Sequence, residues 1–322
     1  MQEFTHHFRA MGTEVGLWLW HTNPQVARPA LAAAEQFFRQ TEARLSRFQP
    51  ESELSQLNRT AGQPFKASTL LFELVEAALY WRHRSGGIFD PTVLKALIAY
   101  GYDRSFEMIA KSTQPGVFPV PGISSNPVQV KLDRAQHSIT LPLGVGLDLG
   151  GIAKGWTVQQ AGQRLGQLGP ALVDAGGDIV CVGMPPTGSA WSVGLSDPHQ
   201  PETDLATLML KDEAVATSSL ARRRWQHQGA TAHHLIDPRT GAPAETDLVS
   251  VTVIAPGLPE AEIYAKVALI LGQQPGLAYL AAQPNLSALL VTGDGRQLTY
   301  GNLEDKAYVY SDDFTHRFVN LV

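Results

Sequence analysis

The densest chemistry in the sequence lies mid-chain, in Gly146-Leu147-Asp148-Leu149-Gly150-Gly151-Ile152-Ala153-Lys154-Gly155-Trp156. An acid, two adjacent glycines, a lysine and a third glycine fall within the eight residues from Asp148 to Gly155. Glycines let a ligand approach the backbone closely, and the free N–H groups at a helix start favour an anion. Lys154 would add a mobile ammonium suited to a phosphate. The spacing is neither that of the dinucleotide fingerprint nor that of the P-loop. A phosphate site fits these residues, and so does a tight strand-to-helix turn whose lysine is merely solvated.

Four further clusters carry reactive groups. Ile88-Phe89-Asp90-Pro91-Thr92 places a carboxylate at a helix start, where a simple N-cap accounts for it. Ala175-Gly176-Gly177-Asp178 offers either close backbone approach to a ligand or a β-bulge. Thr217-Ser218-Ser219, followed by Arg222-Arg223-Arg224, gathers phosphate donors, although three arginines in a row also suit a solvated face. His233-His234-Leu235-Ile236-Asp237-Pro238-Arg239-Thr240-Gly241 is richer. Neighbouring side chains on an extended segment point to opposite sides, so one histidine at most faces a site. That argues against a metal pair and leaves a single general base or hydrogen-bond donor.

The elements that must hold these residues follow from periodicity. A strand is expected over 11–21 and a long helix over 24–48, with Leu31, Phe37, Phe38 and Leu45 on its buried face. Short helices are expected from Pro50 to Leu57, from Ser68 to Trp81 and from Asp90 to about Gly101. Residues 105–128 read as a surface loop and 128–143 as a hairpin turning at Asp133-Arg134. After the central motif come a helix over 157–168 and strands over 171–174, 178–182, 191–195, 206–210, 214–217 and 248–254. Helices over 259–272 and 276–282, then strands over 286–291 and 297–300, finish the chain. Helices and strands mix without a strict βαβ rhythm, so the class is α+β with largely antiparallel sheets and packed helices. One domain over 1–322 is expected, with sub-parts 1–145 and 146–322.

Bulk properties exclude several classes. With 322 residues, 44% hydrophobic and 17% charged, the chain is a globular protein with a real core. A net charge of −5 without a basic block excludes a nucleic-acid footprint. Its one cysteine, Cys181, sits in an apolar run and reads as a buried, inert thiol. Nothing at residues 1–7 reads as a secretory signal, and no apolar run reaches the ~18 residues of a membrane span, so a cytoplasmic location is expected.

Taken in order, these clusters resemble the ApbE family of FAD:protein FMN transferases. The resemblance is carried by Met11-Gly12-Thr13, Leu45-Ser46-Arg47-Phe48 with Ser52-Glu53-Leu54, Phe89-Asp90-Pro91-Thr92-Val93, the central motif, Gly176-Gly177-Asp178, Ala216-Thr217-Ser218 and His234 through Gly241. It implies an α+β fold with the active site in a cleft within one chain, FAD as substrate and an acceptor protein as partner. Met11, Phe48 and Ile88-Phe89-Asp90 match flavin-nucleotide contacts, with Phe48 standing where a tyrosine is usual. Asp148, Lys154, Leu235 and Ile236 match further FAD contacts, the Gly151 carbonyl matches a magnesium ligand, and His234 matches a histidine proposed to assist transfer.

One departure stands out. The family carries an aspartate and, four residues on, a threonine as magnesium ligands, whereas this chain carries Glu262 and Lys266. Magnesium takes oxygen ligands at ~2.0–2.1 Å, and an ammonium cannot serve. Glu262 and Lys266 read either as an ordinary i,i+4 ion pair or as a lysine ammonium standing in the vacated cation position, held by Glu262. In the second reading Lys266 joins His234 and Lys154 as a catalytic side chain. The implied reaction transfers FMN from FAD to a Thr or Ser hydroxyl and releases AMP. Alternatives are an FAD-binding protein without transfer and an FAD pyrophosphatase that yields FMN and AMP.

Overall fold

A computed structural model describes residues 1–109, 129–221, 223–227, 230–308 and 318–320. The first third of the chain holds β1 (Gln2–Ala10), β2 (Thr13–His21), α1 (Pro24–Leu45), α2 (Glu53–Arg59), β3 (Pro64–Lys66), α3 (Thr69–Arg84), α4 (Leu94–Ala99) and α5 (Phe106–Ile109). Then come β4 (Lys131–Asp133), β5 (Ser138–Thr140), α6 (Ala153–Gly166), β6 (Ala171–Ala175), β7 (Asp178–Val182), β8 (Trp191–Ser196), β9 (Asp204–Leu210) and β10 (Ala214–Ser219). The short strands β11 (Arg224–His227), β12 (Ala230–His233), β13 (Ile236–Asp237) and β14 (Ala242–Pro243) follow. Last are β15 (Leu248–Ala255), α7 (Leu258–Leu271), α8 (Gln273–Ala281), β16 (Ser287–Thr292), β17 (Gln297–Tyr300), β18 (Ala307–Tyr308) and β19 (Phe318–Asn320).

The chain divides into two compact units, one of Met1–Arg39, Lys154–Ala221 and Thr246–Val322, the other of Gln40–Ala153 and Arg222–Glu245. The first unit is built on a nine-stranded sheet in the order β1-β2-β6-β7-β10-β15-β16-β17-β19. Its pairs are antiparallel except β17 with β19. Alternation along β7 sends Ile179 and Cys181 into a core shared with Trp191, Val193 and Leu195 of β8. Asp178, Val180 and Val182 lie on the other face, toward α6. There Gly162 and Gly166 make room: a Cβ at either would fall 2.3 Å from Val180 or 2.4 Å from Val182. Two missing side chains therefore set how closely α6, and Lys154 at its start, approaches β7.

Helix α7 packs against β10 and β15 and is buried nearly all round, from Leu258 to Ile270. A helix without a polar face belongs in a core. Glu262 is the one charged residue among its buried positions.

The second unit contains α2 to α5, the three-stranded sheet β3-β5-β4 and the small hairpins β11-β12 and β13-β14. Ser52 caps α2 by accepting from the Ser55 N–H at 3.0 Å, and Ser68 caps α3 by accepting from Leu71 at 3.3 Å. A core of Leu97, Tyr102, Ile109, Trp225, Ala232 and Ile236 joins α4 and α5 to both hairpins.

The α+β expectation holds, with mostly antiparallel sheets and packed helices. Several details differ. β1 precedes the first expected strand. α6 starts at Ala153, four residues early. Asp90 caps no helix: α4 begins at Leu94, behind Val93, without a side-chain cap. Of the loop expected over 105–128, residues 106–109 form a helical turn, and 110–128 lie outside the described residues, as does Arg222. Cys181 is buried, and burial pushes its thiol far above the ordinary value. No helix among the described residues is long and apolar enough to cross a membrane.

Candidate active site

In the first unit, two tight turns end up side by side. β1 and β2 are joined through Met11 and Gly12, with φ of +53° and +71°; β6 and β7 through Gly176 and Gly177, with φ of +66° and +92°. Two-residue hairpin loops with both central φ positive match the twist of the strands they join. Gly176-Gly177 is thus a hairpin turn, where a bulge was the alternative. β2 pairs with β6, Val15 opposite Ala175, so both turns sit at one end of the sheet. A Cβ on Gly176 would lie 2.2 Å from the Thr13 hydroxyl. Met11 is held in a left-handed conformation that costs a side-chain-bearing residue roughly 1–2 kcal/mol.

Lys154 extends from the first turn of α6 to the carboxylate of Asp178, which follows the second turn directly. Its ammonium also donates to the Ala175 carbonyl at 3.2 Å. The lysine is therefore neither loose nor solvated. From α7, Glu262 Oε2 accepts the Gly155 N–H at 3.2 Å, while Oε1 lies 3.8 Å from the Lys266 ammonium. The side chains of Asp178, Glu262 and Lys266 are only 6%, 8% and 14% exposed. Burial pushes the Glu262 carboxyl up, and the neighbouring Asp178 adds to this; the Lys266 and Lys154 ammoniums and the Gly155 N–H oppose it. Two carboxylates and two ammoniums make a cluster with no net charge.

A magnesium ion does not fit this cluster. The Asp178 carboxylate is paired with one ammonium and the Glu262 carboxylate with another plus a backbone N–H. Among the described residues no three His, Cys, Asp or Glu side chains gather as a metal site.

The second unit holds the remaining motif residues. The central motif before α6 is pinned by Asn58, which accepts from the Leu147 N–H at 2.7 Å and donates to its carbonyl at 2.9 Å. Asp148 donates its N–H to the Pro91 carbonyl at 2.8 Å, tying the motif to the turn that carries Asp90. Asp148 Oδ1 accepts from the Gly150 N–H at 2.9 Å and Oδ2 from Arg47 Nε at 2.5 Å. Arg47 packs against two rings, its guanidinium carbon 4.1 Å from the Phe48 ring centre and 4.6 Å from that of Tyr102. Gly151 follows in the partly exposed turn before α6.

Asp90 is occupied by its neighbours. Oδ1 accepts from the Thr92 N–H at 2.8 Å and the Thr92 hydroxyl at 2.7 Å, and Oδ2 from Arg82 Nε at 2.8 Å. Phe89 is buried and Ile88 half-buried.

His233 and His234 do face different surroundings. His233 is buried, receives the Leu235 N–H on Nδ1 at 3.3 Å and so donates from Nε2 to the Ala244 carbonyl at 3.1 Å. It is the structural member of the pair, and His234 is half-buried. Leu235 and Ile236 are buried behind it. Asp237 and Arg239 close a bidentate pair within their own turn, at 2.9 Å and 2.7 Å.

The structure thus gathers Met11, Lys154, Glu262 and Lys266 around the β2, β6 and β7 end of the first unit. In the second it brings Phe48, Asp148 and the Asp90 turn together, with Ile236 linked to Phe48 through Tyr102. Arg47 and Asn58 were not singled out by sequence reasoning. Their signal was adjacency alone: Arg47 precedes Phe48, and nothing local announces its contact 101 residues on.

A mixed sheet-and-helix architecture of this kind is shared with flavin transferases of known structure. The ApbE protein of Thermotoga maritima MSB8 superposes with a TM-score of 0.77 at 24% identity, over 98% of this chain and 99% of that one. Flavin transferase ApbE from Vibrio cholerae gives 0.74 at 22% identity, with 98% and 99% covered. In sequence, the FAD:protein FMN transferase of Treponema pallidum (strain Nichols) is 31% identical, covering 98% of this chain and 91% of that protein. The Salmonella typhimurium (strain LT2) enzyme of the same name is 28% identical, covering 83% and 78%. The model of the ApbE family matches residues 11–290. This chain belongs to the ApbE family.

Proposed function

We propose that the chain transfers FMN from FAD to a Thr or Ser hydroxyl of an acceptor protein. The observation that carries this is the similarity to a curated FAD:protein FMN transferase along 98% of the chain. In the reaction, the acceptor oxygen attacks the FMN-side phosphorus of FAD. A new P–O bond forms, the bridging P–O bond to AMP breaks, and the hydroxyl proton passes to a base while AMP leaves. Such chemistry depends on in-line positioning and on neutralising the charge that develops on oxygen. His234 is the proposed base or relay, supported by its half-buried place beside the structural His233. Met11, Phe48, Ile88, Phe89, Asp90, Asp148, Lys154, Leu235 and Ile236 are the proposed FAD contacts, and residues 1–322 the proposed functional domain.

Magnesium enters no step of this proposal, because Lys266 stands at one of its implied ligand positions and an ammonium cannot coordinate it. In its place, Lys266 is the proposed built-in cation, held by Glu262 and acting with Lys154 toward the diphosphate. The ion pairs at 3.8 Å and at Lys154–Asp178 support this, since each ammonium is held by a carboxylate on a packed element. The same saturation of the carboxylates favours a second reading, an FAD-binding protein that no longer transfers. The proposed acceptor is a protein domain exposed to the cytoplasm.

Incubation with FAD and a flavin-free acceptor domain, in magnesium or in EDTA, separates the readings. Covalent flavin on the acceptor supports transfer. Free FMN with AMP indicates a pyrophosphatase, and unchanged bound FAD a binding protein.

A further inference from the structure

Two arginine–carboxylate pairs in this chain close as a two-pronged fork. Arg239 gives Nε and Nη2 to Asp237 at 2.9 and 2.7 Å, and Arg104 gives the same two atoms to Asp103 at 2.8 Å each. Arg47 closes no such fork. Its Nε reaches Asp148, but its Nη2 is buried and has no hydrogen-bond partner among the described residues. The side chain is only 5% exposed. A buried donor of a charged group left unpaired is costly, and such an exception asks for a reason.

The surroundings supply one. The guanidinium lies against two aromatic rings that also touch each other: its carbon is 4.1 Å from the Phe48 ring centre and 4.6 Å from that of Tyr102, and the two centres are 5.6 Å apart. Tyr102 is fixed from behind by Trp225, with ring centres 5.3 Å apart. Of the two rings Phe48 is the one that solvent reaches, at 37% exposed. A ligand ring that took its place would meet a flat cationic group with an unpaired amino donor. Asp148 already neutralises the guanidinium charge, so the complement is a neutral acceptor rather than another anion. A planar heterocycle with a ring carbonyl or ring nitrogen has that shape and chemistry.

We infer that Arg47 is a nucleotide-recognition residue: its Nη2 donates to a ring acceptor of the bound dinucleotide, and Phe48 covers this donor until the ring arrives. The inference rests on the proposed FAD reading and deepens it. Both the isoalloxazine and the adenine of FAD carry suitable acceptors. Through Asp148 the same arginine also positions the Gly150 turn of the central motif.

The test compares the whole protein with Arg47→Lys, which keeps the charge beside Asp148 and removes the Nη2 donor. Equilibrium binding is measured for FAD, riboflavin, adenosine and inorganic pyrophosphate, with thermal melting as the check on folding. The variant is expected to melt close to the parent and to bind FAD about tenfold more weakly, as the loss of a charge-assisted hydrogen bond implies. Binding of one ring compound should fall in parallel. Loss with riboflavin assigns the acceptor to the flavin, loss with adenosine to the adenine. Parent-like affinity for FAD and both ring compounds overturns the inference, and so does a loss confined to pyrophosphate. A variant that fails to fold shifts the test to Arg47→Gln, read by the same four ligands and the same outcomes. If the parent protein binds neither FAD nor either ring, the FAD reading falls and this inference with it.

Discussion

Glu262 Oε2 accepts the backbone N–H of Gly155 at 3.2 Å, so a carboxylate from the buried helix α7 sits on the first turn of α6. A helix N-terminus attracts anions, and here the protein supplies its own. Lys266, one turn along α7, accompanies that carboxylate at 3.8 Å. The pair places a carboxylate and an ammonium beside the start of α6.

Restoring oxygen ligands should therefore bring a metal back. Glu262→Asp combined with Lys266→Thr removes the resident ammonium and shortens the carboxylate. The double variant should gain thermal stability on addition of magnesium, and its flavin transfer should become sensitive to EDTA, while the parent shows neither effect. Equal melting temperatures and equal activity with and without metal in the double variant would refute the built-in cation.

The spacing of α6 from β7 should depend on Gly162. Glycine to alanine inside a helix ordinarily stabilises by about 1 kcal/mol. Here the new methyl would fall 2.3 Å from Val180 Cγ1, and a β-branched strand residue has little freedom to yield. Overpacking of this kind costs ~1–3 kcal/mol, so Gly162→Ala should lower stability in urea unfolding. Val180→Ala in the same chain should recover part of the loss. Stabilisation by the single variant would show that the helix can move away.

Met11 presents a trade between strain and binding. Asparagine tolerates the left-handed conformation better than methionine, and Asn-Gly is the preferred pair for this turn. Met11→Asn should raise stability by about 0.5–1 kcal/mol in denaturant unfolding and weaken FAD binding in calorimetry. Unchanged FAD affinity would remove Met11 from the proposed contacts.

Acid sensitivity should trace in part to His233. Burial holds its pKa below the ordinary 6.5, with the Arg224 charge acting the same way and the Ala244 hydrogen bond opposing. The unfolded chain then binds more protons than the folded one between the lowered value and 6.5, so stability rises with pH through that window. The contribution is fully present above 6.5 and is lost as pH falls through the folded value. His233→Gln should flatten this part of the stability profile. A slope identical to the parent's below pH 6.5 would assign it to other groups.

Much of the fold was legible because its signals are local. The valine- and isoleucine-rich β15, the apolar α7 and the capped α3 announce themselves through periodicity and end residues. β1 was hidden because His6 interrupts its apolar alternation, and that residue meets Glu35 of α1 at 2.5 Å, a contact no local pattern shows. The start of α6 was masked by the glycines before it, and β11 to β14 are too short to carry a period. Of the candidate site, the motif residues were readable from their types. Their partners were not: Lys154 meets Asp178 across 24 residues and Asp90 meets Arg82 on a preceding helix, which turns an apparent cap into half of an ion pair.

The central claim is best tested by the intact mass of a flavin-free acceptor domain with an exposed Thr or Ser, after incubation with this protein and FAD in EDTA. The account predicts a gain of one FMN less a water, lost when the acceptor hydroxyl is removed, with AMP released in equal amount. An acceptor of unchanged mass, with or without magnesium, would contradict it.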